Sequence, residues 1–387
     1  MNKTFVQRAA AIFVLAAFSA GSAVGQSPSP SPSPTATPST TSRILGALTG
    51  LVDKIAPKEE PTPVPLSPEM QKKASDLVKT YGGSIVFVSG KDAAGSGFIA
   101  SIQGKNYLVT NAHVAAGVHD ATFKTLNDTT VRGGVSSLAV GRDLFCVAVA
   151  TGGQPLPVMD DMAQNAAIGD EVVVLGNAEG QGVVNLITGR ITGIGPDRVE
   201  VDAPFVPGSS GSPIIHLKSG KVIGVATYMA IKYLDPATQE ILPHPIVRRF
   251  GFRLDNVKQW QMVDTKAFAA QAAEMENIET LTEDLYGVCE GIANGMEDVT
   301  PEDFKVTEVK NCLDQWYKAG KAAHSDEERK KIAANMLGLL KNMTQGDVTA
   351  ARQRMAYDYF KRELAEQQDY RDAFAKMFDS AVKNINR

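Results

Sequence analysis

The chain has 387 residues, a formal net charge of −4 and 43% apolar residues, enough for two ordered domains with extensions. The slight acidity, without a basic stripe interleaved with aromatic residues, argues against nucleic-acid binding. Three cysteines are too few for a disulfide scaffold, and no CxxC motif or His/Cys cluster indicates a metal, so we expect no cofactor.

The first 25 residues have the parts of a secretory signal peptide. Lys3 and Arg8 supply positive charge, and residues 9–19 form an apolar run too short to span a bilayer comfortably. Small residues at 23–25 fit a cleavage site. The alternative is an uncleaved N-terminal anchor. We predict an exported protein, periplasmic or secreted.

Residues 26–66 form a Ser/Pro-rich linker, a composition that favours extended chain. Within the linker, apolar residues recur at helical spacing: Ile44, Leu45, Leu48, Leu51, Val52 and Ile55. Such an amphipathic segment packs on the next domain, on a partner chain or on a membrane surface, and the first is the simplest expectation.

Residues 67–262 are predicted to form a β-rich domain. Ser67-Pro68-Glu69 is a good helix start, and this helix is expected to end near Tyr81. Strand patterns follow without intervening helices, at residues 84–89, 97–102, 107–110, 135–140, 144–150, 171–175, 183–194, 198–202, 214–217 and 222–228. Short strands with Gly, Asn, Asp and Pro turns predict an antiparallel barrel or sandwich.

Residues 263–387 are predicted to form an α-helical domain, a bundle with helices at 266–293, 301–318, 326–341 and 347–382. Cys289 and Cys312 lie on neighbouring predicted helices. A disulfide between them is one expectation for an exported protein, and two buried thiols are the other. Cys146 lies in a predicted strand and is expected to be a buried core thiol.

A glycine- and serine-rich turn, Pro207-Gly208-Ser209-Ser210-Gly211-Ser212-Pro213, separates two apolar strands. A serine on such a turn can project its hydroxyl while backbone N–H groups converge, as acyl transfer requires. The serine also needs a base and an orienting carboxylate. His113 follows one predicted strand and Asp143 precedes another. Taken singly, each feature is more often a turn, a structural histidine or a strand cap.

The order His, Asp, Ser matches the chymotrypsin-type template. With the segments Gly95-Ser96-Gly97-Phe98-Ile99, Thr110-Asn111-Ala112-His113-Val114, Asp143-Leu144 and Gly208-Ser209-Ser210-Gly211-Ser212-Pro213, residues 80–260 resemble trypsin-like serine peptidases, most closely the bacterial HtrA/Deg branch. The resemblance implies an all-β double barrel of two six-stranded barrels, here followed by an α-helical C-terminal domain. No recognisable PDZ domain follows the barrels, which puts family-style substrate delivery in doubt.

The resemblance also implies the site residues. The family pattern Gly-Asn/Asp-Ser-Gly-Gly-Pro places the nucleophile at Ser210, with His113 as base and Asp143 as orienting acid. The backbone N–H groups of Gly208 and Ser210 would form the oxyanion hole. Substrate-binding positions are Pro204, Phe205, Val206, Thr227 and Tyr228. Because residues 203–206 carry no charge, we expect cleavage after a small or medium apolar side chain.

Three positions depart from the family pattern: Ser209 replaces Asn or Asp, Ser212 replaces glycine, and Met229 stands where many relatives have glycine. Asp120 and Asp128 are alternatives to Asp143 but lie too close to His113 in sequence. The other histidines show no ligand spacing or paired acid and are interpreted as structural or solvated: His119, His216, His244 and His324.

The sequence therefore predicts an exported serine endopeptidase that acts on polypeptide substrates through an acyl-enzyme. One alternative is a non-catalytic or latent barrel that serves as a binding scaffold with a helical interaction module. Another is that the helical tail carries the main function and the protease regulates it. A second copy of the chain or an envelope protein is the expected partner of the N-terminal segment or the tail.

Overall fold

A computed structural model describes residues 66–385, except 91–92, 119, 151–152, 178–181, 235–240, 294–295, 297–298 and 347. The predicted signal peptide and nearly all of the predicted linker therefore lie outside the described residues. The first described helix, α1 (Pro68–Tyr81), begins where the sequence predicts, because the Ser67 hydroxyl accepts a hydrogen bond from the Met70 N–H.

Two β-sheets follow. The first contains β1 (Ile85–Ser89), β2 (Ala94–Ile102), β3 (Lys105–Thr110), β4 (Thr122–Thr125), β5 (Gly133–Ala139), β6 (Phe145–Val149), β7 (Leu156–Pro157) and β14 (Trp260–Val263), with a short helix α2 (Ala112–Gly117) after β3. The second contains β8 (Glu171–Gly176), β9 (Asn185–Ile194), β10 (Arg198–Val201), β11 (Pro213–His216), β12 (Lys221–Leu234) and β13 (Ile241–Phe252), preceded by α3 (Met162–Asn165).

The second sheet closes into a six-stranded barrel in the order β10-β13-β12-β11-β8-β9. The first sheet is different from the expected six-stranded barrel. Its main path is β14-β5-β6-β3-β2-β1-β4, and β7 pairs with β2 to make eight strands. Strand β14 pairs with β5 from Trp260↔Ala139 to Val263↔Ser136. The chain thus returns from the second barrel and occupies the edge of the first sheet.

The C-terminal region is helical, as predicted: α4 (Thr265–Ala293), α5 (Thr307–Ala322), α6 (Asp326–Thr344), α7 (Val348–Arg354) and α8 (Asp358–Ile385). The predicted fourth helix is in fact two helices. It breaks at residues 355–357, where Met355 and Tyr357 are buried among barrel and tail side chains. Among the described residues, no helix combines the length and the apolarity needed to cross a membrane.

The helical tail shares a hydrophobic core with the first sheet. Phe145 of β6 lies with its ring centroid 5.5 Å from that of Phe268 in α4, and Phe268 lies 5.2 Å from Phe360 in α8. All three are buried in one cluster with Val86, Ile99 and Leu108. The predicted boundary near residue 263 marks the change from strand to helix, but the core extends across it.

The expected disulfide is not formed, and this expectation is corrected. Cys289 and Cys312 are both free, buried thiols. They lie in a second hydrophobic cluster of the tail, here called the distal cluster, which includes Leu285, Leu313 and Phe378. The Cys312 thiol points instead to the carbonyl oxygen of Met336, 3.9 Å away. Burial raises the pKa of the Cys289 thiol, which keeps it protonated. Cys146 is a buried core thiol, and burial raises its pKa to about 12.

Candidate active site

His113 and Asp143 form a closely bonded pair. The His113 Nδ1 lies 2.6 Å from Asp143 Oδ2, and the His113 backbone N–H donates to Asp143 Oδ1 at 2.9 Å. Because an ionised carboxylate only accepts, Nδ1 carries the proton and leaves Nε2 as the acceptor. Burial opposes the ionisation of Asp143, but the charge and hydrogen bonds of His113 outweigh it, so the pKa of Asp143 lies below its usual value.

A side-chain bridge connects this pair to the second barrel. The Asn111 side-chain amide donates both to the carbonyl of Asp143 and to the hydroxyl of Thr227 on β12, each at 2.9 Å. The Thr227 hydroxyl in turn donates to the carbonyl of Val225 at 2.9 Å. The bridge is buried. It therefore fixes the two sheets relative to each other at the point where the predicted site residues meet.

Ser210 lies on the loop between β10 and β11, and its hydroxyl donates to the carbonyl of Thr227 at 3.2 Å. Within the described ranges, no hydrogen bond joins this hydroxyl to His113. The structure thus brings His113 and Asp143 into direct contact, whereas the Ser210 hydroxyl, on its loop, is bonded to Thr227 of β12. Transfer of the Ser210 proton to His113 requires the bond to Thr227 to be released.

The loop that carries Ser210 is held by Ser96 of β2. The Ser96 N–H donates to the carbonyl of Ser210 at 2.8 Å, and its hydroxyl donates to the carbonyl of Gly208 at 3.0 Å. Gly211 has a φ of 89°, and a Cβ there would lie 1.9 Å from the Ser96 carbonyl oxygen. Only glycine fits this approach. The motif Gly95-Ser96-Gly97 supports the resemblance, but nothing in the sequence indicates this role of Ser96.

The same loop leaves two N–H groups available. Gly208 has a φ of 95°. The N–H groups of Ser209 and Gly211 donate to other backbone carbonyls, at 3.0 and 2.9 Å. In the part of the chain that the structure describes, the N–H groups of Gly208 and Ser210 donate to no acceptor. These are the two groups that the sequence predicts for an oxyanion hole, and a pair of such donors can stabilise an anionic oxygen.

Residues 95–225, which include His113, Asp143 and Ser210, match the family model described as a trypsin-like peptidase domain. The chain carries a trypsin-like peptidase domain.

Solved structures add likenesses to this domain. They include a serine endoprotease from Yersinia pestis (24% identity, 49% of this chain and 63% of that chain, TM-score 0.35). An inactive form of a serine-to-alanine mutant of Rv3671c from M. tuberculosis H37Rv is 25% identical and covers 49% of this chain and 90% of that chain, with a TM-score of 0.35. Deg5 is 22% identical and covers 43% of this chain and 88% of that chain, with a TM-score of 0.35. The chain thus spans less than two thirds of the Yersinia pestis protein. No curated protein sequence matches the chain.

Two of the departures from the family pattern lie inside the peptidase domain core. Ser209 and Ser212 are fully buried, and neither hydroxyl has a hydrogen-bond partner among the described residues. Ser212 fits because residue 176 is glycine: a Cβ at Gly176 would lie 1.8 Å from the Ser212 hydroxyl oxygen. The space that a glycine leaves at position 176 therefore accommodates the Ser212 side chain.

The predicted substrate-binding residues divide into three settings. Pro204 and Val206 are half-buried, whereas Phe205 is buried and its carbonyl accepts a hydrogen bond from Arg249 Nε at 3.0 Å. Thr227 is committed to the buried bridge. Tyr228 packs on Phe250, with ring centroids 5.0 Å apart, and its hydroxyl accepts from Arg198 at 2.7 Å.

Arg249 changes the basis of the specificity prediction. The expectation of an apolar pocket rests on the absence of charge in residues 203–206. The structure places a buried guanidinium against this segment, contributed by a strand distant in sequence. The sequence pattern around residue 204 could not show this neighbour, so the preferred substrate side chain stays a prediction.

His216 has the acid partner that sequence reasoning did not find. Its Nε2 lies 3.2 Å from Asp170 Oδ2 and its Nδ1 lies 2.9 Å from the Ser219 hydroxyl. Ser219 lies in the exposed β11–β12 turn and also accepts from the Lys221 N–H at 3.3 Å. Because the histidine is buried and its partners belong to turns, we interpret this set as structural.

The alternatives to Asp143 lie elsewhere. Asp120 and Asp128 are exposed and have φ values of 51° and 56°. Asp128 pairs with Lys124 at 2.7 Å. His324 is exposed, His119 lies outside the described residues, and the side chain of His244 is not described.

The tail places carboxyl groups near the His113–Asp143 pair. Burial raises the pKa of Glu363 in α8 to about 8, and the charge of Asp143 adds to the increase. Burial likewise raises the pKa of Glu279 in α4 to about 7. The folded protein therefore holds these protons more tightly than the unfolded chain does.

Stability should consequently fall as pH rises from about 4.5 to about 8, because the unfolded glutamate releases its proton near 4.5 and the folded one near 8. We expect the substitution Glu363→Gln to raise the unfolding temperature at pH 9 and to change it little at pH 5, as measured by scanning calorimetry. Asp369→Asn, at an exposed position of the same helix, is the control. A gain for Glu363→Gln that is equal at both pH values would contradict this interpretation.

Proposed function

We propose that the protein is an exported serine endopeptidase that hydrolyses peptide bonds through His113, Asp143 and Ser210. The observation that carries the proposal is the His113–Asp143 pair, bonded through both carboxylate oxygens beside a loop with two available N–H donors. The match of residues 95–225 to a trypsin-like peptidase domain supports the same chemistry. The signal-peptide pattern of residues 1–25 supports export.

In the proposed reaction, the Ser210 oxygen attacks the peptide carbonyl carbon and its proton passes to His113 Nε2. Asp143 holds the imidazole tautomer and stabilises the charged ring. The N–H groups of Gly208 and Ser210 bind the oxyanion, and one such donor contributes about 3 kcal/mol in the transition state. His113 then protonates the leaving amine. Water, activated by the same histidine, hydrolyses the acyl-enzyme and restores the Ser210 hydroxyl.

A second candidate is a latent or non-catalytic barrel that binds polypeptides. It is favoured by the Ser210 hydroxyl, which bonds to Thr227 instead of His113, and by the two unpartnered serines beside it. Contacts of the N-terminal segment or the tail with a second copy or an envelope protein stay predictions.

Labelling of the mature protein with a fluorophosphonate probe tests the proposal, because an activated serine attacks the phosphorus of the probe and displaces fluoride, which leaves a phosphonylated serine. We expect labelling in wild type and its loss in both Ser210→Ala and His113→Ala. Ser219→Ala is the matched control, since Ser219 also lies beside a histidine–aspartate pair. Absence of labelling in folded wild type would reject the endopeptidase and favour the binding barrel.

A further inference from the structure

The short loop that carries Asp143 is held by groups from later in the chain. The Val140 N–H donates to the carbonyl of Gln259 at 3.0 Å. The buried Arg142 guanidinium donates to the carbonyl of Arg253. Both anchors come from residues 253–259, the segment between β13 and β14.

The third anchor comes from the helical tail. The Gly141 N–H donates to Asp358 Oδ2 at 2.8 Å, and Asp358 is the first residue of α8. Arg362, one turn further along this helix, donates its Nε–H to the same oxygen at 3.1 Å and so orients the carboxylate. Asp358 is half-exposed, with 35% of its side chain accessible. Its carboxylate is therefore not required to fill the core.

The start of α8 is itself firmly placed. Tyr359 and Phe360 are buried, and the Phe360 ring belongs to the core shared with β6. Burial opposes the ionised form of Asp143. His113 favours this form, and so does the positive charge of Arg362, with a smaller effect. Asp358 thus connects a rigid helix end to the backbone two residues before Asp143.

We propose that Asp358 is a positioning residue of the peptidase site: by holding the Gly141 N–H, it fixes the loop that presents Asp143 to His113. The inference rests on the proposed function and assigns the tail a supporting role in that site. A small displacement of a catalytic group lowers the reaction rate disproportionately, so loss of this contact should slow the reaction of Ser210. A partner that displaced the start of α8 would slow acylation by the same route.

The first test uses hydrogen–deuterium exchange of full-length mature protein and does not depend on activity. We expect Asp358→Ala to increase exchange at Gly141 at least tenfold, because its N–H loses its acceptor. Asp358→Asn keeps a side-chain oxygen and should retain most of the protection. Asp379→Ala is the control, since Asp379 lies on the same helix in an ion pair with Lys341 at 2.7 Å. Unchanged exchange at Gly141 in Asp358→Ala overturns the proposal.

The second test measures the rate of fluorophosphonate labelling between pH 5.5 and 9. We expect Asp358→Ala to slow labelling about tenfold, Asp358→Asn to recover most of the rate, and Asp379→Ala to match wild type. In a background of Asp143→Asn, the Asp358→Ala substitution should add no further loss, since the contact acts through Asp143. An equal further loss in that background would overturn the positioning role.

The two tests separate this inference from the proposed function. If folded wild type is not labelled, the endopeptidase fails, and exchange at Gly141 alone decides whether Asp358 orders the loop. If wild type is labelled but Asp358→Ala changes neither exchange nor rate, the endopeptidase stands and the positioning role fails.

Discussion

Replacing Asp143 by asparagine is expected to slow nucleophilic attack by Ser210 about 10⁴-fold at neutral pH. The carboxylate accepts two N–H groups of His113, one on each oxygen. An amide has one acceptor oxygen, and its NH₂ group would face one of these donors. The imidazole would then favour the tautomer with the proton on Nε2, which cannot accept the Ser210 proton. The second-order rate constant for fluorophosphonate labelling measures the effect.

A matched control is present in the same chain. Asp170→Asn removes a carboxylate from the other histidine–aspartate pair, which lies in the second barrel. We expect this variant to label within about threefold of wild type. A loss of less than tenfold in Asp143→Asn, or an equal loss in Asp170→Asn, would show that the His113–Asp143 pair does not drive the reaction.

Phe360→Ala is expected to lower the free energy of unfolding by about 3–5 kcal/mol, the usual cost of removing a buried aromatic ring. The Phe360 side chain is fully buried, and its ring lies 5.2 Å from that of Phe268 and 5.1 Å from that of Tyr359. Because this core belongs to both the tail and the first sheet, barrel and helices should unfold together. A denaturant titration measures this: far-ultraviolet circular dichroism follows the unfolding of the helices, and labelling at Ser210 follows the unfolding of the barrels.

Phe378→Ala is the comparison, because Phe378 is as deeply buried but lies in the distal cluster of the tail. We expect a similar loss of stability with an unchanged labelling rate under conditions in which the protein is folded. If Phe360→Ala instead unfolded the helices while labelling persisted, the barrels would be stable without the tail. The shared core would then contribute little to their free energy of unfolding.

Local signals in the sequence predict much of the fold. The Ser67 cap and the change of class near residue 263 depend on neighbours along the chain, and the structure has both where the pattern indicates. Ten strands also lie where the pattern predicts them, whereas β4, β7, β13 and β14 are not predicted. The positions of His113 and Asp143 follow from motifs at the ends of strands. Their contact, at 2.6 Å, could be anticipated only through the resemblance.

The features that sequence reasoning missed depend on residues far apart in the chain. An apolar face on α4 indicates burial but not that Phe145 covers it, and nothing near residue 204 indicates Arg249. The neighbouring helices of Cys289 and Cys312 make a disulfide one of two expectations, but thiols also need a particular separation and orientation to bond, and the structure has the other expectation, two buried thiols. Nothing near residues 260–263 indicates that this segment, which follows the second barrel, pairs with β5 in the first sheet.

The position of β14 also sets an order for folding. The outer side of β5 gains its partner only when residues 260–263 are available, after the whole second barrel has been synthesised. Until then β5 is an exposed strand edge, the kind of surface that pairs with other chains. Completing the first sheet depends on a contact of long sequence separation, which slows folding. A chain emerging from its N-terminus would therefore need protection from aggregation until residues 260–263 of its 387 residues are available.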